Sequence, residues 1–154
     1  MLDMAAVRVP PVSRNDDPQT FPANGARRMR VALMTGCAQK ALNTDINDAT
    51  IRLLTRLGCE VVVAGGAGCC GALTHHMGRE AEARRSAAAN IRAFMAETQR
   101  GGLDAIVVNA SGCGTTVKDY GHMLRTDAAY AAKAARVAKL TLDISEYLSR
   151  LKIA

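Results

Sequence analysis

Glu60-Val61-Val62-Val63-Ala64-Gly65-Gly66-Ala67-Gly68-Cys69-Cys70-Gly71 runs from an apolar strand straight into a glycine-rich turn that carries two adjacent thiols. An ordinary core does not need such a turn. Glycine allows positive φ and lets another group approach the main chain closely, and neighbouring cysteines bring two potential thiolates to one place. The stretch predicts that something is held at the end of this strand, and it sets the rhythm, strand then turn then helix, by which the rest of the chain is read.

On its N-terminal side, Gly58 stops a helix that Thr44 or Asp45 caps, with Ile46, Ala49, Leu53, Leu54 and Leu57 recurring at three and four. Before that helix, Arg30-Val31-Ala32-Leu33-Met34 reads as a buried strand ending at Thr35-Gly36-Cys37. On the C-terminal side, Gly78 to about Gln99 forms a long Ala-rich helix with Ala81, Ala88, Ile91 and Met95 on one face, broken by Gly101-Gly102. Asp104 to Asn109 is a third strand, followed by Ser111-Gly112-Cys113-Gly114 and helices near Thr115 to Leu124 and Asp127 to Leu140. A last amphipathic helix carries Ile144, Leu148 and Leu151. Strands alternating with helices predict an α/β fold built of parallel βαβ units: a Rossmann-like, three-layer domain with a small parallel sheet and flanking helices. Residues 1–29 hold all four prolines and show no periodicity, so they read as a linker or disordered arm ahead of a domain over 30–154.

The totals fit one such domain of 154 residues. No apolar run approaches the ~18 to 20 residues of a membrane span. The formal net charge of +6 is not arranged as basic runs interleaved with aromatics, which argues against a nucleic-acid platform and for solvated helix faces. Five cysteines without a signal-peptide pattern predict a reducing, cytoplasmic setting, where clustered thiols point to metal or redox chemistry before disulfides.

Topology gathers those thiols. Cys37 follows the first strand, Cys69 and Cys70 the second, and Cys113 the third, and in a parallel sheet with right-handed crossovers the three strand ends share one edge. Cys59 sits at the opposite edge and reads as a small buried apolar residue. Soft thiolate sets select zinc, copper(I) or iron-sulfur clusters. Zinc sites usually show paired Cys-x-x-Cys knuckles, whereas here a vicinal pair joins two distant singles, a pattern better suited to several irons sharing unevenly placed ligands. A Cys69–Cys70 disulfide would be strained, since adjacent Cα atoms lie about 3.8 Å apart. Gly66 to Gly71 also fits G-x-G-x-x-G, but it follows the second strand, lacks an acidic partner near the end of the third, and has Cys at two variable positions. NAD or FAD binding is set aside on those grounds. His75 and His76 could tune or ligate the site but read first as exposed loop residues. His122 near Cys113 lacks an orienting third group for Cys-His nucleophilic catalysis.

With these residues in view, the chain resembles the cysteine-rich CCG domain family, in particular the first CCG unit of the glycolate oxidase iron-sulfur subunit, a family related to the heterodisulfide reductases. The likeness is carried by Gly36-Cys37-Ala38-Gln39, Ala67-Gly68-Cys69-Cys70-Gly71-Ala72, Asn109-Ala110-Ser111-Gly112-Cys113-Gly114, Val117-Lys118-Asp119-Tyr120-Gly121 and the segment from Asp127 to Lys133. The resemblance implies an electron-transfer module that takes electrons from a flavoprotein subunit oxidising glycolate or lactate and passes them towards quinone. It would have no catalysis of its own. Cys37, Cys69, Cys70 and Cys113 would bind a 4Fe-4S cluster; the alternative is a zinc-bound or metal-free module acting in subunit assembly. The fuller pattern ends in Cys-x-x-Cys, and here Ala110 stands in the first of those positions, leaving four thiols rather than five. Relatives carry two such units, so the resemblance implies a fragment or a split-gene product. Its partners would be flavoprotein subunits and the second unit, or a second copy by self-association. Any membrane contact would be peripheral, at the inner face and through the complex.

Overall fold

Alternation along the central strand sorts the chain into layers. In the computed structural model, which describes residues 11–151, strand β2 (Met29–Met34) sends Val31 and Leu33 to one face and Ala32 and Met34 to the other, all four buried. Strand β4 (Ala105–Val108) divides Ala105 and Val107 from Ile106 and Val108 in the same way. Strands buried on both faces need helices on both sides. Helices α2 (Asp45–Arg56) and α8 (Ile144–Arg150) cover the first face with Ile51, Leu54 and Tyr147. Helices α4 (Glu80–Gly101) and α7 (Ala131–Leu140) cover the second with Ala87, Ile91, Phe94, Ala134 and Val137.

Strands β1 (Gln19–Phe21), β3 (Cys59–Val63) and β5 (Thr141–Asp143) complete a five-stranded sheet of order β1-β3-β2-β4-β5, parallel except where β1 pairs antiparallel with β3. Val31 stands opposite Val61 on one side and Ala105 on the other. The chain leaves β2 through α2 to reach β3, then crosses back through α4 to reach β4 on the far side of β2. Right-handed crossovers place helices on opposite faces when the direction of winding reverses, and the crevice beyond the carboxyl ends at such a reversal is the usual ligand position. The architecture is therefore the Rossmann-like α/β arrangement expected, with the carboxyl ends of β3, β2 and β4 side by side.

Several local expectations change. Of the 1–29 segment read as a linker, the first ten residues lie outside the described ones, but from Ser13 the chain is tied to the domain. Ser13 Oγ and Asn15 Nδ2 donate to Asp48 Oδ1 at 2.8 and 2.9 Å, Gln19 to Phe21 pair with Val61 to Val63, and Arg28 N donates to the Gly58 carbonyl at 2.8 Å. Its order comes from those partners, not from any pattern of its own. The helix predicted from Asp127 starts only at Ala131, because Asp127 Oδ1 accepts the N–H groups of Ala129 and Tyr130 and holds a turn. Ser111 to Met123 divides into α5 (Ser111–Lys118) and α6 (Tyr120–Met123). Two short helices, α1 (Ala38–Leu42) and α3 (Ala72–His76), and the strand β5 had no signal long enough to read.

Candidate metal centre

All four predicted cysteines come together at the carboxyl end of the sheet. Cys37 precedes α1 and is exposed; Cys69 is exposed and Cys70, its neighbour in the chain, is buried; Cys113 lies in the first turn of α5, half-buried. Cys37 and Cys69 approach to 3.7 Å between sulfurs, and Cys70 and Cys113 act mainly on each other. The Cys113 sulfur, and then burial, push the Cys70 thiol far above the usual range. Cys113 moves the other way, lowered chiefly by the hydrogen bond from Cys70. Burial raises the Cys37 thiol, with Cys69 adding to it.

The turn between β3 and α3 aims its main chain at sulfur. Gly71 N–H donates to Cys69 Sγ and Ala72 N–H to Cys70 Sγ, each at 3.4 Å, which is the arrangement expected where backbone donors tune a thiolate centre. Gly71 adopts φ +87°, open to glycine at little cost. A side-chain network that the sequence reading did not find supports the loops on either side. Asn47, fully buried in α2, donates to Asp16 Oδ1 at 2.7 Å and to the Thr35 carbonyl at 2.9 Å. Asn109 donates to Asn47 Oδ1 and Thr50 Oγ1, and accepts from Gln39 Nε2 at 2.9 Å. The loops bearing Cys37 and Cys113 are thus cross-tied. A second buried asparagine, Asn90 of α4, reaches the Gly-Cys turn itself. The available signal was a lone Asn within each apolar stripe, Asn47 beside Thr50 and Ile51, and Asn90 between Ala87 and Ile91. A buried amide in that position demands partners.

The remaining candidates take other positions around the sheet. Cys59 is fully buried at the other end of β3, with its sulfur 3.2 Å from the Tyr147 hydroxyl. His75 and His76 line a cleft of about 500 Å³ with Gly112, Thr115, Thr116, Lys118 and Asp119, and His75 Nδ1 lies 3.7 Å from Glu80. His122 is exposed on α6. In the G-x-G-x-x-G stretch the N–H groups of Gly68 and Gly71 are committed, to Asn90 and to Cys69 Sγ.

The chemistry of the donor set suits a soft-metal group. Four sulfurs are supplied, two of them already receiving backbone hydrogen bonds. Among the described residues, no group of three or more His, Cys, Asp or Glu side chains is arranged to hold a metal ion. The four sulfurs fall into two pairs, Cys37 with Cys69 and Cys70 with Cys113.

An α/β domain with four thiols at the carboxyl ends of adjacent parallel strands is defined by that centre more than by its sheet. The chain belongs to the cysteine-rich domain family, whose CCG model matches residues 31–118. It is 44% identical over 121 residues to the glycolate oxidase iron-sulfur subunit of Escherichia coli (strain K12), covering 79% of this chain and 30% of that protein. It is 33% identical over 147 residues to the probable glycolate oxidase iron-sulfur subunit of Bacillus subtilis (strain 168), covering 93% and 32%. Lactate utilization protein A of Bacillus velezensis is 29% identical over 78% of this chain and 48% of its own length. The chain thus spans about a third to a half of these relatives. No solved structure matches it.

Proposed function

We propose that this domain is an iron-sulfur electron-transfer module of a glycolate- or lactate-oxidising complex, with Cys37, Cys69, Cys70 and Cys113 as the ligands of a 4Fe-4S cluster. The observation that carries the reading is the gathering of four thiols from three strand ends, joined to relatives named as iron-sulfur subunits of glycolate oxidase. When bound, the cluster supplies one-electron transfer; the chain's own residues do the rest. The sheet fixes the three loops, Gly71 and Ala72 donate to sulfur, and the burial of Cys70 excludes water on the inner side. Cys37 and Cys69 stay at the surface, the side from which a redox partner approaches. Leu42, Leu73 and Met77, which follow Cys37 and Cys70 in the chain, are 68%, 70% and 62% exposed, apolar surface of a kind suited to a subunit contact. In this reading electrons arrive from a flavoprotein subunit and leave towards quinone. Membrane association is peripheral; among the described residues no helix is long and apolar enough to cross a bilayer.

A zinc-bound assembly module is the second reading, favoured by one distance. The Cys37–Cys69 separation of 3.7 Å matches the edge of a zinc-thiolate tetrahedron, about 3.8 Å for Zn–S bonds of about 2.3 Å. Anaerobic purification with metal analysis, absorption and EPR separates the two. Iron and sulfide with a cluster spectrum are expected; stoichiometric zinc in a colourless protein sinks the cluster. Cys70→Ala is expected to abolish metal loading, while Cys59→Ala, at the opposite edge, retains it.

A further inference from the structure

Asn90 lies on the buried face of α4, and Tyr120 begins α6; neither exposes any surface. A buried carboxamide in an apolar stripe is costly unless its polar atoms are bonded, and all of Asn90's bonds go to the Gly-Cys turn or to Tyr120. Its Oδ1 accepts the Gly68 N–H at 2.8 Å, and its Nδ2 donates to the Cys69 carbonyl at 2.9 Å and to the Tyr120 hydroxyl at 3.0 Å. That hydroxyl donates onward to the Cys70 carbonyl at 2.8 Å. Asn90 spends one acceptor and two donors, the hydroxyl one of each. Three successive backbone positions, 68 to 70, are therefore gripped by two side chains from helices that contribute no thiol. The grip is on the main chain and not on sulfur, so it sets the directions in which the two side chains leave it: Cys69 outwards and Cys70 into the core.

We propose that Asn90 and Tyr120 are positioning residues that fix Cys69 as the outer and Cys70 as the inner thiol of the vicinal pair, an assignment that rests on the reading of these cysteines as ligands. The geometry is a property of the polypeptide and is testable without metal. In reduced, metal-free protein, iodoacetamide alkylation of each cysteine is followed by peptide mass spectrometry in wild type, Tyr120→Phe and Asn90→Leu. Tyr147→Phe is the control, since it removes another buried hydroxyl, one bonded to Cys59 at the far end of the domain. Of the four gathered cysteines, Cys37 and Cys69 are expected to react first and Cys70 last in wild type, with the fully buried Cys59 as the internal slow reference. Tyr120→Phe, which removes the one bond its hydroxyl makes to the turn, raises the Cys70 rate about tenfold at about 1.4 kcal/mol per decade, and Asn90→Leu, which removes two bonds to the turn, raises it at least as much; Tyr147→Phe leaves it unchanged. After anaerobic reconstitution with iron and sulfide, Tyr120→Phe shifts the EPR g values while Tyr147→Phe reproduces wild type. A Cys70 rate unmoved by Tyr120→Phe, or raised equally by Tyr147→Phe, overturns the proposal. Tyr120→Phe keeps the ring and decides the matter should Asn90→Leu fail to fold. A wild type that binds no iron overturns the proposed function alone, because the alkylation rates still judge the clamp.

Discussion

Gly71 follows two cysteines that share a peptide bond but not an environment. It holds φ +87°, and a Cβ there would stand 3.2 Å from the Ala83 carbonyl oxygen and 3.3 Å from the Ala83 Cα. Those atoms are backbone of α4 and cannot step aside. Gly71→Ala is therefore expected to cost about 1 to 2 kcal/mol for the left-handed conformation alone, with a further loss as the Cys70 turn is pushed off the helix. Gly36, at φ +69°, differs in its neighbour: a Cβ would collide with the Gln39 carboxamide, the end of a flexible side chain. Gly36→Ala is relieved by rotating Gln39 away, at the expense of its bond to Asn109. Urea denaturation of the two variants should place Gly71→Ala at the lower midpoint with m unchanged. A Gly36→Ala midpoint at or below it would show that the α4 contact is not the stricter constraint.

Elements were legible in the sequence in proportion to the length of their pattern. β2, β3 and β4 carry the apolar runs Val31 to Met34, Val61 to Val63 and Ala105 to Val108, and α2 and α4 repeat their apolar positions over several turns, so each is placed within a few residues. β1 offers three residues of which two are exposed, and it exists because β3 presents an edge to it. β5, equally short, continues directly from α7 and falls in the gap between the helix read to Leu140 and the one that carries Ile144. The thiols were legible because strand ends in a parallel sheet share an edge. The asparagines that cross-tie the loops were not, because a partner for a buried amide is fixed by tertiary packing. α8 carries a local signal that makes its own prediction. Asp143 caps it, accepting from Ser145 N at 2.9 Å, while Glu146 Oε2 accepts from Asp143 N at 2.8 Å, a closed capping box. Asp143→Ala is expected to cost about 1 kcal/mol. The bonds from the Ser145 backbone and hydroxyl hold the Asp143 carboxyl below its usual range. A depressed folded-state value means that the stabilisation is present above the unfolded carboxylate pKa and is lost as pH falls through the folded one. The stability gap between wild type and Asp143→Ala, measured by thermal melts from neutral to acid pH, should close in that order. A gap constant with pH would mean that the charge on Asp143 is not what the cap uses.

The two ends of the molecule are built on different physics, one open and glycine-rich around sulfur, the other locked by charge. At the amino end of β2, Arg30 sits in a core strand with its side chain 10% exposed, and its guanidinium bonds Glu60 at 2.7 Å, Glu97 at 2.8 Å and the carbonyls of Glu97 and Gly102. The Glu97 side chain is 6% exposed and is met from outside by Arg100. Removing one partner of a buried pair leaves an uncompensated charge, an effect of about 3 to 5 kcal/mol, whereas exposed pairs contribute at most about 1 kcal/mol. Arg100 still faces Glu97 after the change, which places Arg30→Ala near the lower bound. The surface pair Arg79–Glu82, 57% and 36% exposed, supplies the comparison: Arg79→Ala should fall within about 1 kcal/mol of wild type. Distance along the sheet then separates stability from the thiol centre. Arg30→Ala should lower the denaturation midpoint sharply while the folded fraction still loads metal in the wild-type ratio. Arg30→Ala protein that is well folded by circular dichroism yet binds less metal per chain would show that the charged end reaches the sulfurs through the sheet and that the two ends are not independent.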